Sequence, residues 1–108
     1  MYCPKCKTEQ LAPTNVHGTE VDRCPNCRGV WFDERELQRL LDLSPADLRP
    51  IRGGRLHDDV NRQKAKCPRD GSNLTRVCSA IKPQIIVDSC PNCHGIWFDG
   101  GELDQLLT

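Results

Sequence analysis

The spacing of the cysteines constrains this chain more than any other feature. Cys3-Pro-Lys-Cys6 and Cys24-Pro-Asn-Cys27 are two CxxC pairs separated by seventeen residues, and the 108 residues hold eight cysteines in all. A CxxC turn lets two thiolates from one tight loop face a common point. Two such loops joined by a hairpin therefore supply four sulfurs in a tetrahedron. Pro4 and Pro25 stiffen the two turns and lower the entropy lost on closing around an ion. A thioredoxin-like redox pair fits poorly, because that chemistry needs one CxxC at a helix N-terminus in a much larger α/β domain.

Compartment and composition favour metal over disulfides. The opening MYCPKCKTEQ shows no basic n-region, apolar h-region or small-residue cleavage site. No apolar run approaches the roughly 20 residues of a membrane span. The expectation is a cytoplasmic protein with no membrane association, in a reducing compartment where a cysteine-rich chain binds metal. Only 37% of residues are hydrophobic and five are aromatic, too little for one large core. Units below about 40 to 50 residues need disulfides, metal or a partner to stay folded. Zn(II) is the expected ion, being redox-inert and the usual occupant of structural sites, although four thiolates also suit a single iron or a cluster.

The chain is one module written twice. Cys24 to Leu41 reads CPNCRGVWFDERELQRLL and Cys90 to Leu107 reads CPNCHGIWFDGGELDQLL, with CPKC at Cys3 to Cys6 matched upstream by CPRD at Cys67 to Asp70. The modules are 1–43 and 67–108, and residues 44–66 are the linker, partly flexible or helical. In each module a hairpin turns at His17-Gly18 or Lys82-Pro83 and returns through Thr19 to Arg23 or Ile85 to Ser89. Asp33 and Asp99 read as N-caps, with Glu36 and Glu102 completing capping boxes. Leu37, Leu40 and Leu41, and likewise Leu103, Leu106 and Leu107, then predict short helices over 34–43 and 100–107. The fold class is a small metal-stabilised α+β protein: two tandem zinc ribbons, each a β-hairpin with two metal knuckles and a short C-terminal helix. In the linker, Ser44 and Pro45 can cap one helical turn ending before Pro50, Gly53-Gly54 reads as flexible, and Asp59 to Lys66 as helix or coil. A solvated spacer is the expected role of this segment.

Two metal ions per chain are expected, the second less firmly held. Cys67, Cys90 and Cys93 align with ligands of the first module, but Asp70 stands where Cys6 does. A carboxylate can ligate zinc, so Asp70 is the first candidate for the fourth ligand, followed by Cys78 and then a His or water. Cys78 reads equally well as a partly buried free thiol, and His94 as a surface residue. Gly29 and Gly95 are expected to permit φ > 0 just past the second knuckle. Of Trp31, Phe32, Trp97 and Phe98, one ring of each pair should cover the metal site and anchor the helix, the other lying nearer the surface.

The pattern CPxC, hairpin, CPxCxGxWFDxxEL resembles the transcription factor IIB-type zinc-finger family of small, mostly bacterial zinc-ribbon proteins, over both modules. The resemblance implies Cys3, Cys6, Cys24, Cys27, Cys67, Cys90 and Cys93 as ligands, with Asp70 departing from the four-cysteine pattern. It also implies a transcription-associated binding role. Charge argues against wide nucleic-acid contact. Residues 1–43 carry six basic and seven acidic groups, residues 67–108 three and five, and a Zn(Cys)4 centre adds about two negative charges. Only the linker is basic, through Arg49, Arg52, Arg55, Arg62, Lys64 and Lys66. A non-enzymatic module that binds another protein is therefore the leading reading. Nucleic-acid binding through the linker is the first alternative, and metal or redox handling (zinc reservoir, thiol sensor or iron-thiolate carrier) the second. Catalysis is disfavoured, since two ribbons offer little concavity and nothing singles out Asp70 or Asp88 as a general base.

Overall fold

His17 and Gly18 both take left-handed φ, 49° and 85°, as a tight two-residue hairpin turn demands. The Asn15 side chain locks the turn by accepting from the Gly18 N–H at 3.1 Å. The hairpin consists of β1 (Ala12–Val16) and β2 (Thr19–Arg23). These belong to a computed structural model that describes residues 1–44, 46–53, 64–79, 82 and 84–107, with the side chain of Leu107 excepted. The readings placed on Pro45, Gly54, Arg55, Arg62, Pro83 and most of Asp59 to Lys66 lie outside the described residues.

The first repeat continues through β3 (Val30–Phe32) and helix α1 (Glu36–Leu41). The second supplies β4 (Thr75–Cys78), β5 (Ile86–Ser89), β6 (Ile96–Phe98) and α2 (Glu102–Leu107). Both helices are shorter than expected. Only half of each capping box forms: Glu36 and Glu102 accept from the backbone N–H of Asp33 and Asp99 at 2.6 Å. The Asp side chains instead accept from the indole N–H of Trp31 and Trp97, at 3.0 and 2.9 Å.

The two repeats share one six-stranded antiparallel sheet in the order β1-β2-β3-β6-β5-β4. At its centre β3 pairs with β6, Trp31 opposite Trp97. These are equivalent residues of the two copies, so an approximate twofold axis passes between them. Side chains alternate across a strand, and the V-W-F and I-W-F triplets thereby divide two cores. Trp31 and Trp97 join Cys3, Cys24, Cys67 and Cys90 on one face. Phe32 and Phe98 meet edge to face on the other, their centroids 5.5 Å apart, among Val16, Val21, Leu40, Leu103 and Leu106. Both rings of each pair are buried, at 0–1% exposure. This corrects the expectation that one would lie near the surface; strand alternation gives each ring its own core.

Gly29 and Gly95 have a different role from the one expected of them. Neither has positive φ; the residue before each does, Arg28 at 64° and His94 at 65°. What the glycines provide is space. A Cβ on Gly29 would lie 2.2 Å from Cζ2 of Trp97, and one on Gly95 2.1 Å from Cζ2 of Trp31. Each tryptophan therefore seats on the glycine of the opposite repeat.

The first part of the linker is not a solvated spacer. A 3-10 turn, Arg49–Ile51, follows the Ser44 turn, in which the Ser44 hydroxyl accepts from the Asp47 N–H at 3.3 Å. Leu48 and Ile51 are each 1% exposed in the aliphatic core. No helix among the described residues is long and apolar enough to cross a membrane.

Candidate metal centre

Each CPxC segment makes a turn whose backbone folds toward its own sulfur. The Cys6 N–H points at Cys3 Sγ (3.3 Å) and the Cys27 N–H at Cys24 Sγ (3.4 Å). In the second repeat the Cys93 N–H points at Cys90 Sγ (3.4 Å) and the Arg69 N–H at Cys67 Sγ (3.4 Å). Such donors stabilise thiolate charge and fix ligand direction. Two clusters result, Cys3, Cys6, Cys24 and Cys27, and Cys67, Asp70, Cys90 and Cys93, with the candidate ligand atoms of each within 4.8 Å of one another.

The distances fit a zinc-sized centre. Zn–S bonds of about 2.3 Å in a regular tetrahedron give sulfur–sulfur edges of about 3.8 Å, and replacing one sulfur by a carboxylate oxygen gives sulfur–oxygen edges of about 3.6 Å. The first cluster has Cys3–Cys27 at 3.7 Å and Cys6–Cys24 at 3.8 Å. The second has Cys67–Cys93 at 3.6 Å, with Cys90 Sγ at 3.7 and 3.5 Å from the two Asp70 oxygens. All eight cysteines are free rather than disulfide-bonded. Cys78 is exposed on edge strand β4, outside the second cluster, and His94 is exposed.

The clusters differ in how they would hold an ion. Asp70 is exposed, whereas Cys6 is half-buried. The Asp70 carboxyl is held below its usual range chiefly by the Ser72 N–H, which it accepts at 2.8 Å. The shared Asn of CPNC, to which no role could be given from sequence, marks the same asymmetry. Asn26 donates its amide to Cys6 Sγ at 3.3 Å, while Asn92 donates to the Ser72 hydroxyl. Without an ion three of the buried thiols, Cys3, Cys24 and Cys67, resist ionisation. The hydrogen bond with Cys27, and then burial, pushes Cys3 far up, while the same bond holds Cys27 down at about 6. Burial pushes Cys67 up to about 12. A divalent ion removes this conflict by taking the place of the protons.

Around the clusters, the third residue of each N-terminal knuckle crosses to the other repeat. Lys5 Nζ is fully buried 3.2 Å from Asp88 and 3.7 Å from Asp99. Its counterpart Arg69 grips both oxygens of Asp33, holding that carboxyl low. Close to the Lys5 ion pairs, Glu102 is 2% exposed. Burial, reinforced by the charges of Asp99 and Asp88, pushes its carboxyl up to about 8. The folded state then binds this proton more tightly than the unfolded state, so stability falls as pH rises from about 4.5 through about 8. Glu102→Gln keeps the acceptor for the Asp99 N–H and removes the ionisation. Its thermal melts should lose that downward slope and exceed wild type above pH 8 by on the order of 2 kcal/mol; parallel slopes in the two proteins would refute the assignment.

A family described as transcription factor zinc-finger matches residues 2–43 and again residues 66–108, one match to each repeat. No curated protein and no solved structure matches the chain.

Proposed function

The chain belongs to the transcription factor zinc-finger family, in two tandem copies, and from that premise we propose that it is a non-enzymatic, zinc-dependent module that docks another protein, in a transcription-associated setting. Its structural ions are two Zn(II), one on Cys3, Cys6, Cys24 and Cys27, the other on Cys67, Asp70, Cys90 and Cys93. The observation that carries this reading is that each cluster offers four protein ligands at tetrahedral spacing. A centre closed in this way organises a fold, whereas a catalytic zinc keeps a position open.

A protein partner is favoured over nucleic acid by charge, one arginine of the basic linker being already engaged within the chain. Arg52 is committed to Asp104 at 2.7 Å, and the clusters themselves carry net negative charge. Nucleic-acid affinity depends on phosphate contacts and falls with salt. The metal-handling alternative is motivated by Cys78, which stands apart from both clusters, and by Asp70 in place of a fourth cysteine in the second.

Four measurements test the proposal, the first two made on protein purified without added metal. Native mass spectrometry should give two zinc ions per chain, and the absorption spectrum should lack iron–thiolate bands. Titration with DNA and RNA should show no salt-sensitive binding. Capture of a defined protein partner should require bound metal; coloured protein, or tight salt-dependent nucleic-acid binding, would overturn the reading.

A further inference from the structure

The approximate twofold gives the helical side of the sheet two equivalent grooves, and the chain fills one of them itself. Leu48 and Ile51 sit buried over β1 and β2. The Arg23 guanidinium donates to the carbonyls of Pro50 (2.6 Å) and Arg52 (2.8 Å). On the opposite wall Asp104 of α2 accepts from Arg52 Nε (2.7 Å) and from the Gly53 N–H (2.9 Å). The groove thus holds one helical turn by two aliphatic side chains at i and i+3, with Arg23 and Asp104 as its clasps.

The repeat counterparts of Arg23 and Asp104 are Ser89 and Gln38. Both line an open groove of about 600 Å³ between α1 and the strands β4 to β6, with Val87, Ile96 and Phe98 also in its lining. Among the described residues no segment fills it. Val77, on its strand wall, remains 39% exposed. The helical wall carries the opposite charge to that of the filled groove, where Asp104 stands: Arg39 of α1 and Arg35 at its N-cap face the open groove, and no carboxylate is found among its described lining residues.

We propose that this open groove docks a short segment of the partner protein, one helical turn bearing two aliphatic side chains at i and i+3 and a carboxylate that meets Arg35 and Arg39. The inference rests on the protein-docking reading above and adds its site and the chemistry of the partner. The filled groove shows the mode of seating, a helical turn laid in an apolar trough. The arginines decide the sign of the clasp, since a carboxylate placed against them is attracted and a second cation is repelled.

The probe is a synthetic peptide of residues 44–53 carrying Arg52→Glu, titrated in excess into isotope-labelled, metal-loaded full chain. Amide shifts should map to Leu37, Val87 and Phe98. Affinity should fall about tenfold or more, about 1.4 kcal/mol, for Val77→Lys and Arg39→Glu proteins of wild-type metal content, and the peptide that keeps Arg52 should bind more weakly. No shifts, shifts confined to other surfaces, or equal affinity in both variants would overturn the proposal. So would a wild-type dimer that Val77→Lys converts to monomer, which would make a second copy the occupant. Capture of the same metal-dependent partner by wild type and both variants alike would sink the groove and spare the protein-docking reading; absence of any metal-dependent partner for wild type would overturn both.

Discussion

Graded chelation should strip the second cluster first and unfold the chain only when the first cluster is also emptied. A structural zinc contributes about 10–16 kcal/mol of apparent binding free energy at neutral pH, as much as the whole stability of an ordinary domain, about 5–15 kcal/mol. Here the ions have particular work, because Cys3, Cys24, Cys67 and Cys90 are buried beside Trp31 and Trp97. An empty cluster leaves that core built on thiols that repel one another when ionised. The order of release follows from the ligands. Asp70 is exposed and has the Ser72 N–H as a competing partner, while Cys6 has the Asn26 amide directed at its sulfur. Released zinc, followed with an indicator dye, should therefore appear in two phases of equal amplitude, with most of the circular dichroism lost in the second. Asp70→Cys should delay the early phase toward the later one. Release of both ions in a single phase, or a fully folded metal-free chain, would contradict this account.

The knuckles and hairpin were legible because they are local. A CxxC spacing specifies a turn, and His17-Gly18 specifies the reversal that delivers the second pair to the first. The place of Asp70 in the second cluster was legible through the repeat, since alignment of CPRD with CPKC sets it where Cys6 stands. What remained hidden depends on contacts between copies. Gly29 admits two explanations in sequence, backbone freedom or lack of bulk, and only the pairing of β3 with β6 brings Trp97 against it. Lys5 and Arg69 look like ordinary surface cations until the shared sheet sets them beside Asp88, Asp99 and Asp33. The linker misled for a different reason. Leu48 and Ile51 are two apolar residues in a polar stretch, too few for a periodic signal, yet one turn of helix aligns them on the same face.

The reciprocal seating of tryptophan on glycine yields the sharpest test of the shared sheet. Gly29→Ala should destabilise the protein by several kcal/mol, because its methyl would fall 2.2 Å from a Trp97 ring that has 0% exposure and nowhere to retreat. Overpacking a core costs about 1–3 kcal/mol when neighbours can shift, and losing the contacts of a buried tryptophan outright costs about 3–5 kcal/mol. Because Trp97 belongs to the same buried core as cysteines of both clusters, the variant should also release metal from both sites at lower chelator concentration. Gly95→Ala should behave alike, its added Cβ lying 2.1 Å from Trp31. A double-mutant cycle separates space from backbone strain. In a Trp97→Leu background the steric conflict disappears, so Gly29→Ala should become nearly neutral, a coupling of about 2 kcal/mol or more. Were glycine required for its φ, alanine would cost the same with or without the indole, and a coupling near zero would return Gly29 to that role. Gly29 has no positive φ, so the ring alone accounts for the absent side chain.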